Sequence, residues 1–452
     1  MDAHEVNRVR AKLALYVADL FASVPRKDQR AKDDCYLRGL MLDGRRKSIQ
    51  SMASRLPDGN EQNLQQFVNQ STWDPVPVQR RIAERMLPLI VPTAWVTDDV
   101  SLPKDGRMSV AVAPQYCGAL GKRANCQVAV RVHAASDTVS CPLQWRLFLP
   151  KEWAADTERR ALARVPPEAG HREKWRLALD MLDELADWGM RPPVVVADAA
   201  YGANAHLRAG LAQRGIDYVL AVRADVSAHP FDAKPVAPER NGPVGCWPQP
   251  RYRHRAPSVA ALAADLGPEA FTSLTGRQGS RGQLRSRFAA MRVRLAGKAV
   301  ERPIRSAASA EQGWWDGVLP DCWLLIEWPK APRRPPTTGC PACRPTPRSP
   351  TWSAWPRSAG ASSMTTANSS TAWAWTTSKA GPGPAGTRHP RDRCPRIPYR
   401  TTAGPKSTHT GLTLYQTLDA LQDVLRCWTG ICTTCQQPLP SRPHTTSRSR
   451  QT

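Results

Sequence analysis

No run of about 18 apolar residues occurs in the chain, so no membrane-spanning helix is expected. An apolar signal region is also lacking: Met1–Arg10 is charged and leads into an amphipathic stretch, which makes a cytoplasmic protein the expectation. Acidic residues are scarce, with 39 Asp and Glu against 63 Lys and Arg, a net charge of +24. An excess of that size points first to an anionic partner such as nucleic acid. The shortage is uneven, however. Pro329–Thr452 holds 3 acidic and 17 basic residues, a net of +14, which leaves only +10 for the first 328 positions. The 12 cysteines show no zinc-ribbon spacing. Two CxxC pairs, Cys340/Cys343 and Cys432/Cys435, lie much further apart than the usual ~15–20 residues, and free thiols and zinc ligands both stay open as readings. The sharpest absence is local. Pro329 to Thr410 contains no Leu, Val, Phe or Glu, one Asp (Asp392) and one Ile (Ile397). Such a segment cannot bury enough apolar surface to offset a chain entropy of about 1–2 kcal/mol per residue.

What precedes that segment is ordinary globular sequence, and 452 residues suffice for two or three domains. Val6, Val9, Leu13, Val17 and Leu20 recur at three- and four-residue steps and predict a helix. Further helices are expected over Ser48–Leu56 and Asn63–Asn69, separated by the turn at Pro57-Asp-Gly-Asn. Arg45, Arg46 and Lys47 give this helical region a basic edge that suits DNA phosphates, with a solvated helix face as the competing reading. From Ala94 the pattern changes. Trp95–Asp99, Met108–Val112, Gln127–Val132 and Leu143–Leu149 read as strands, followed by a helix over Glu173–Trp188. Val194–Asp198 is an apolar run that suits a strand buried on both faces. A helix over Asn204–Gln213 and a strand over Asp217–Val222 come next. His229–Pro257 reads as an insertion or loop, Ser258–Leu266 as helical, and Phe288–Leu295 and Cys322–Trp328 as strands. The order predicts an α/β protein with a mixed sheet and flanking helices. Alternation from Arg285 to Leu295 would put Arg285, Arg287 and their neighbours on one face, where they could track a DNA backbone or simply meet solvent.

Asp98 and Asp198 each end an apolar strand. Carboxylates so placed can hold Mg²⁺, which takes one or two carboxylates plus water and substrate phosphate. Capping of the following turns is the alternative role. A pair of such ions can activate a water or a 3′-hydroxyl and stabilise the leaving oxygen in phosphodiester transfer, but a shared site ordinarily needs a third acid.

Several blocks carry a resemblance. They are Trp95–Lys104, Ser109–Val112, Gln115–Lys122, Asn125–Val128, Leu147–Trp153, Val195–Gly202, Tyr218–Val222, Gly279–Arg294, Cys322–Pro329, Gly411–Tyr415 and Cys427–Cys435. In that order they resemble bacterial insertion-sequence transposases of the DDE superfamily, in the subgroup named for insertion sequence seven hundred and one. The resemblance implies an RNase H-like fold whose first and fourth strands are neighbours. It implies Asp98 as first metal ligand, with Asp99 the less favoured alternative, and Asp198 as the second. It further implies Mg²⁺ or Mn²⁺ as a two-metal cofactor, terminal inverted repeats and target DNA as partners, a homodimer, and a nucleoid-associated location. Expected domains are a helical, DNA-binding 1–90, a catalytic core over 91–328 with an insertion around 225–320, an abnormal and disordered 329–410, and a tail over 411–452 that returns to the family pattern. Val100-Ser101 and Pro114 depart from that pattern without removing a carboxylate.

The third acid is missing. The family places it in a helix with a Y-R-E-x-K signature, yet no Glu follows Glu327, which itself lies in a strand-like run. Back-translation offers a reason. Codons built from the last base of one residue and the first two of the next let Ser349–Ser363 yield L-A-D-L-V-R-L-A-K-I-R-W-R-I-E. Met364–Ala380 then yields H-D-Y-R-E-L-K-H-G-L-G-L-D-H-F-E-G. Some bases have no freedom: Met364 followed by Thr365, and Trp375 followed by Thr376, must each encode Asp. The glutamate codon straddles Ala367 and Asn368. A compensated frameshift between about Trp328 and Gly411 is therefore expected, and stop codons or unrelated sequence in the other frame of the gene would exclude it.

Overall fold

The computed structural model describes residues 3–42, 47–56, 58–71, 73–136, 139–237, 239, 242, 249–279, 282–312, 315–328 and 364–367. Arg45, Arg46, both CxxC pairs, Asn368 and the expected C-terminal tail lie outside the described residues. Two compact units emerge. Among the described residues, the first holds those up to Pro92 with Ala134–Gln144, and the second holds Thr93–His133 and those from Trp145 onward.

The first unit is built on five helices: Ala3–Leu20 (α1), Lys27–Met41 (α2), Ile49–Ala53 (α3), Glu61–Asn69 (α4) and Val76–Ile90 (α5). Side-chain oxygens start two of them, Ser48 accepting from the Ser51 N–H and Asn60 from the Asn63 N–H. Cys35, Leu42, Ala53, Leu56 and Leu64 form the core between α2, α3 and α4. Asp19 closes α1 onto α5 by accepting from Arg81 Nε at 3.0 Å and Arg85 Nε at 2.8 Å, and these two guanidinium groups hold its pKa well below the usual carboxylate range. α2 has no counterpart among the sequence expectations, and its inner face explains why. Gln29, Asp33 and Gly39 are buried there beside Cys35 and Leu37, so no apolar stripe marks it. α5 was hidden by Pro77 in its first turn and Pro88 inside it.

The second unit is a sheet with helices, two of whose strands, Lys122–Ala135 and Ser140–Leu147, have their Ala134–Gln144 part in the first unit. Its elements are β1 (Ala94–Pro103), β2 (Ala113–Cys117), β3 (Lys122–Ala135), β4 (Ser140–Leu147), α6 (Lys151–Ala155), α7 (Thr157–Leu162), α8 (Lys174–Asp187), β5 (Val195–Ala197), α9 (Ala199–Gly202), α10 (Ala205–Gln213), β6 (Tyr218–Val222), β7 (Ala228–Pro230), α11 (Val259–Asp265), β8 (Thr272–Gly279), β9 (Gly282–Leu295), α12 (Lys298–Gln312), β10 (Asp321–Trp328) and β11 (Met364–Ala367). The strand order is β2-β3-β1-β5-β6-β11-β10-β9-β7, with β4 also on β3 and β8 also on β9. β1, β5 and β6 run parallel, in the registers Thr97↔Ala197 and Ala197↔Leu220. The hairpin strands beyond β6 are antiparallel. This is the mixed, RNase H-like α/β sheet expected from the sequence, with the first strand beside the strand that ends in Asp198.

Two expectations need correction. Met108–Val112 is a turn, not a strand: Ala111 sits at φ 64°, outside the extended region, and Val112 N–H closes on Ser109 O at 3.1 Å. The abnormal segment also contributes one strand, because Met364–Ala367 pairs antiparallel with both β6 and β10. Backbone hydrogen bonding asks for no apolar side chains, so composition gave no hint of it. α12 and β8 were not anticipated either. Pro303 interrupts the first, and the second is rich in Thr, Ser, Gly and Gln.

Asp33 carries a consequence for stability. Its carboxyl is inaccessible to solvent, neither oxygen has a hydrogen-bond partner among the described residues, and burial raises its pKa to about 7 while Arg30 opposes the shift. A carboxyl raised in the folded state contributes full stability below its unfolded pKa and loses it as pH climbs from about 4 through about 7, a change on the order of 4 kcal/mol. Asp33→Asn should flatten that dependence and leave the protein more stable than wild type at pH 8, as read from thermal melts at both ends of the range.

Candidate metal-binding and strand-cleavage site

Parallel pairing sets the geometry of the site. Because Thr97 and Ala197 are register partners on neighbouring strands, Asp98 and Asp198 follow them at the same level of the sheet. The two chains then diverge. β1 continues to Pro103, whereas β5 ends at Ala197 and turns into α9. Asp198 is the N-cap of that short helix. Its Oδ1 accepts from the Ala200 N–H at 3.0 Å and the Tyr201 N–H at 3.3 Å. Oδ2 has no protein donor among the described residues, so it faces outward from the cap.

The helix behind Asp198 is held close to the sheet. A Cβ added at Gly202 would sit 1.8 Å from the Ala221 carbonyl oxygen on β6, which leaves glycine the residue that fits. Tyr201 is buried and donates its hydroxyl to Asp99 Oδ1 at 2.6 Å. Lys174, at the start of α8, donates to Asp99 Oδ2 at 2.5 Å. Asp99 thus ties β1, α8 and α9 together. Burial, followed by the charge and hydrogen bond of Asp99, pushes the Tyr201 phenol well above its ordinary pKa, so it remains a donor across the physiological range.

Asp98 is more open. Its side chain is 45% exposed, Oδ1 accepts from the Asp99 N–H at 2.8 Å, and Oδ2 meets the Arg131 guanidinium of β3 at 3.2 Å. Asp198 also reaches solvent, yet the surrounding protein withdraws enough water from its carboxyl to raise its pKa. Asp98 and Asp99 add to the rise, and the two cap N–H groups oppose it. A carboxylate raised by burial and by acidic neighbours is stabilised by a cation placed beside it. The oxygens of Asp98 and Asp198 therefore fit a hard divalent ion such as Mg²⁺ or Mn²⁺. The set is incomplete: among the described residues, no group of three or more His, Cys, Asp or Glu is arranged to hold a metal ion.

The sequence singled out Asp98, Asp99 and Asp198, and all three lie in this cluster. It did not single out Lys174, Tyr201 or Arg131. Tyr201 carried the one readable signal, a position three residues after Asp198 on the same short helix. The remaining candidates are elsewhere. Lys47 Nζ donates to the carbonyl of Leu42, the C-cap of α2. Arg287 lies on β9 between Ser273 and Trp328, and the Arg285 side chain is outside the described residues. Two other arginines of that strand serve the fold: Arg292 stacks on Phe231 at 3.8 Å and pairs with Asp321, and Arg294 donates to Phe231 O at 3.1 Å. Ala367 ends β11 opposite Val219, and this stretch of the sheet offers no carboxylate.

The tight seat of α9 yields a stability prediction. Gly202→Ala should cost about 2 kcal/mol through the forced separation of α9 from β6, measured by urea denaturation. Unchanged stability would mean that α9 does not pack on Ala221 as described.

Comparison with known proteins agrees with this geometry. A probable transposase for insertion sequence element IS701 from Microchaete diplosiphon is 26% identical over 190 residues, 41% of this chain and 47% of the relative. The chain thus spans about half the length of that relative. The profile of the DDE superfamily endonucleases matches residues 19–283, more than half of the sequence and the whole of the Asp98–Asp198 site. By that match the chain belongs to the DDE superfamily endonuclease family.

Proposed function

We propose that this chain derives from an insertion-sequence transposase that cuts and joins DNA strands, and that in its present form it has lost strand transfer. The observation that carries the reading is the Thr97↔Ala197 register, which sets Asp98 of β1 level with Asp198, the residue that follows β5. Asp98 and Asp198 hold the divalent ion, Mg²⁺ or Mn²⁺, and Asp99 positions them. When bound, the metal supplies Lewis-acid stabilisation of the attacking and leaving oxygens of a phosphodiester. Asp198 contributes its uncapped oxygen while its other oxygen anchors α9. Tyr201 and Lys174 keep Asp99, and with it the β1 backbone beside Asp98, from shifting when charge builds at the site. Arg131 supplies a compensating positive charge to Asp98 until substrate or cation replaces it.

The DNA partners are the element's terminal inverted repeats and target DNA. The helical unit reads the repeats, Arg45, Arg46 and Lys47 contribute phosphate contacts at its basic edge, and Arg285 and Arg287 track the backbone along β9. The acting form is a homodimer. Loss of strand transfer follows from the missing third acid, whose expected position falls at Ala367 and Asn368. A non-catalytic DNA-binding remnant is the second reading, favoured by the same deficit and by the basic balance of the chain.

Full-length protein with a labelled duplex carrying the element's inverted repeats tests both points. Duplex binding without cleavage in Mg²⁺ or Mn²⁺ is the expected result. Cleavage that disappears in Asp98→Asn would overturn the loss of activity. Manganese titration followed by electron paramagnetic resonance should show millimolar binding to the wild type, weakened at least tenfold in Asp98→Asn. Equal binding by the two proteins would remove Asp98 from the metal site.

A further inference from the structure

The β2–β3 hairpin stands out as a surface for which neither fold nor metal site accounts. Its tip, Gly118–Arg123, is a run of six exposed residues. A Cβ at Gly121 (φ 66°) would meet nothing within 4 Å, and one at Gly118 would meet only Ser101 Oγ at 3.7 Å. The tip therefore has open space around Gly121 and touches the protein at Ser101. Tyr116, 67% exposed, sits directly across from Arg123. Lys122 follows at the tip, and Lys104 joins the same end of the sheet because its N–H donates to Asn125 O at 3.0 Å. Arg107 extends the patch on the adjoining exposed turn.

Some arginines of the unit are neutralised by carboxylates, Arg214 by Asp183, Arg146 by Glu184 and Arg292 by Asp321 among them, and others, such as Arg160 and Arg294, donate to carbonyl oxygens. Lys104, Arg107, Lys122 and Arg123 form no ion pair among the described residues, and Asp105 is the one acid within the segments that carry them. Four unpaired cations around a projecting two-stranded ribbon, with an exposed tyrosine on one face, complement a polyanion. A ribbon of this kind fits the major groove of duplex DNA, about 12 Å wide.

Position relative to the acids makes the surface specific. The Ala119 N–H donates to Ser101 Oγ at 3.3 Å, which pins the tip against β1. Ser101 lies three residues beyond Asp98 on that strand, about 10 Å at ~3.3 Å per residue.

We propose that the β2–β3 hairpin is a duplex-DNA contact whose cations, Lys122 and Arg123 foremost, grip backbone phosphates of the DNA that the sheet presents to Asp98. The proposal rests on the reading of the chain as a DNA-acting protein, and it adds a surface in the sheet unit to the contacts assigned above. The contact ties the gripped backbone to Asp98, because β3 with Lys122 and Arg123 is the sheet neighbour of β1.

Fluorescence anisotropy with a 30-base-pair duplex of arbitrary sequence, over a range of NaCl concentrations, tests it on the full-length chain. The pair Lys122→Ala with Arg123→Ala should reduce the salt slope by about 1.8, at 0.9 per phosphate contact, and weaken binding about 60-fold at 0.1 M relative to 1 M salt. Lys122→Arg with Arg123→Lys should keep the wild-type slope. An unchanged slope in the alanine pair, with circular dichroism and melting like wild type, overturns the proposal. Should the alanine pair fail to fold, Lys122→Gln with Arg123→Gln gives the same reading. Wild-type protein without affinity for the duplex would instead overturn the DNA-acting reading itself.

Discussion

The parallel pairing of β1 with β5 is the constraint on which the site depends. Three register pairs, Trp95↔Val195, Val96↔Val196 and Thr97↔Ala197, bring together segments a hundred residues apart. The side chains behind them, Trp95, Val195 and Ala197, are buried, so the pairing is fixed by packing as well as by backbone hydrogen bonds. A slip of one residue would send Asp98 to the opposite face and separate the two acids. Everything further out serves that alignment. Gly202 lets α9 lie against β6, Tyr201 ties α9 back to β1, and Lys174 brings in the start of α8.

Much of this was legible in the chain because it is written in short-range patterns. The apolar runs ending at Asp98 and Asp198, the 3.6-residue stripe of α8 and the cap at Asn204 are each local signals, and each element formed where it was read. The partners of Asp99 were not legible. Lys174 and Tyr201 are 75 and 102 residues away in sequence, and no periodicity records a contact over such a span. α2 hid for another reason, since burial there falls on Gln29, Asp33 and Gly39 instead of an apolar stripe. The turn at Ala111 hid because the apolar sequence Val110-Ala-Val-Ala113 has strand composition without strand dihedrals. The adjacency of β1 and β5 came from the family resemblance, not from spacing.

The chain also shows how fold and chemistry separate. Burial, helix capping and sheet registry are distributed over many residues, and the loss of any one is partly absorbed by the others. Phosphodiester chemistry depends on a few oxygens at one end of two strands. A change confined to the region after Trp328 can therefore remove an acid while β1, β5 and β6 pair as before.

Asp198 extends that separation to a single side chain. Its Oδ1 starts a helix, and its Oδ2 takes no part in the cap. Asparagine is as good a cap as aspartate, since the cap needs an acceptor oxygen and no charge. Folding therefore exerts no selection for the acid over the amide at this position. An element that no longer transposes would be free to drift to asparagine here without a trace in its stability, so a well-folded member of this family gives no assurance of an intact catalytic centre.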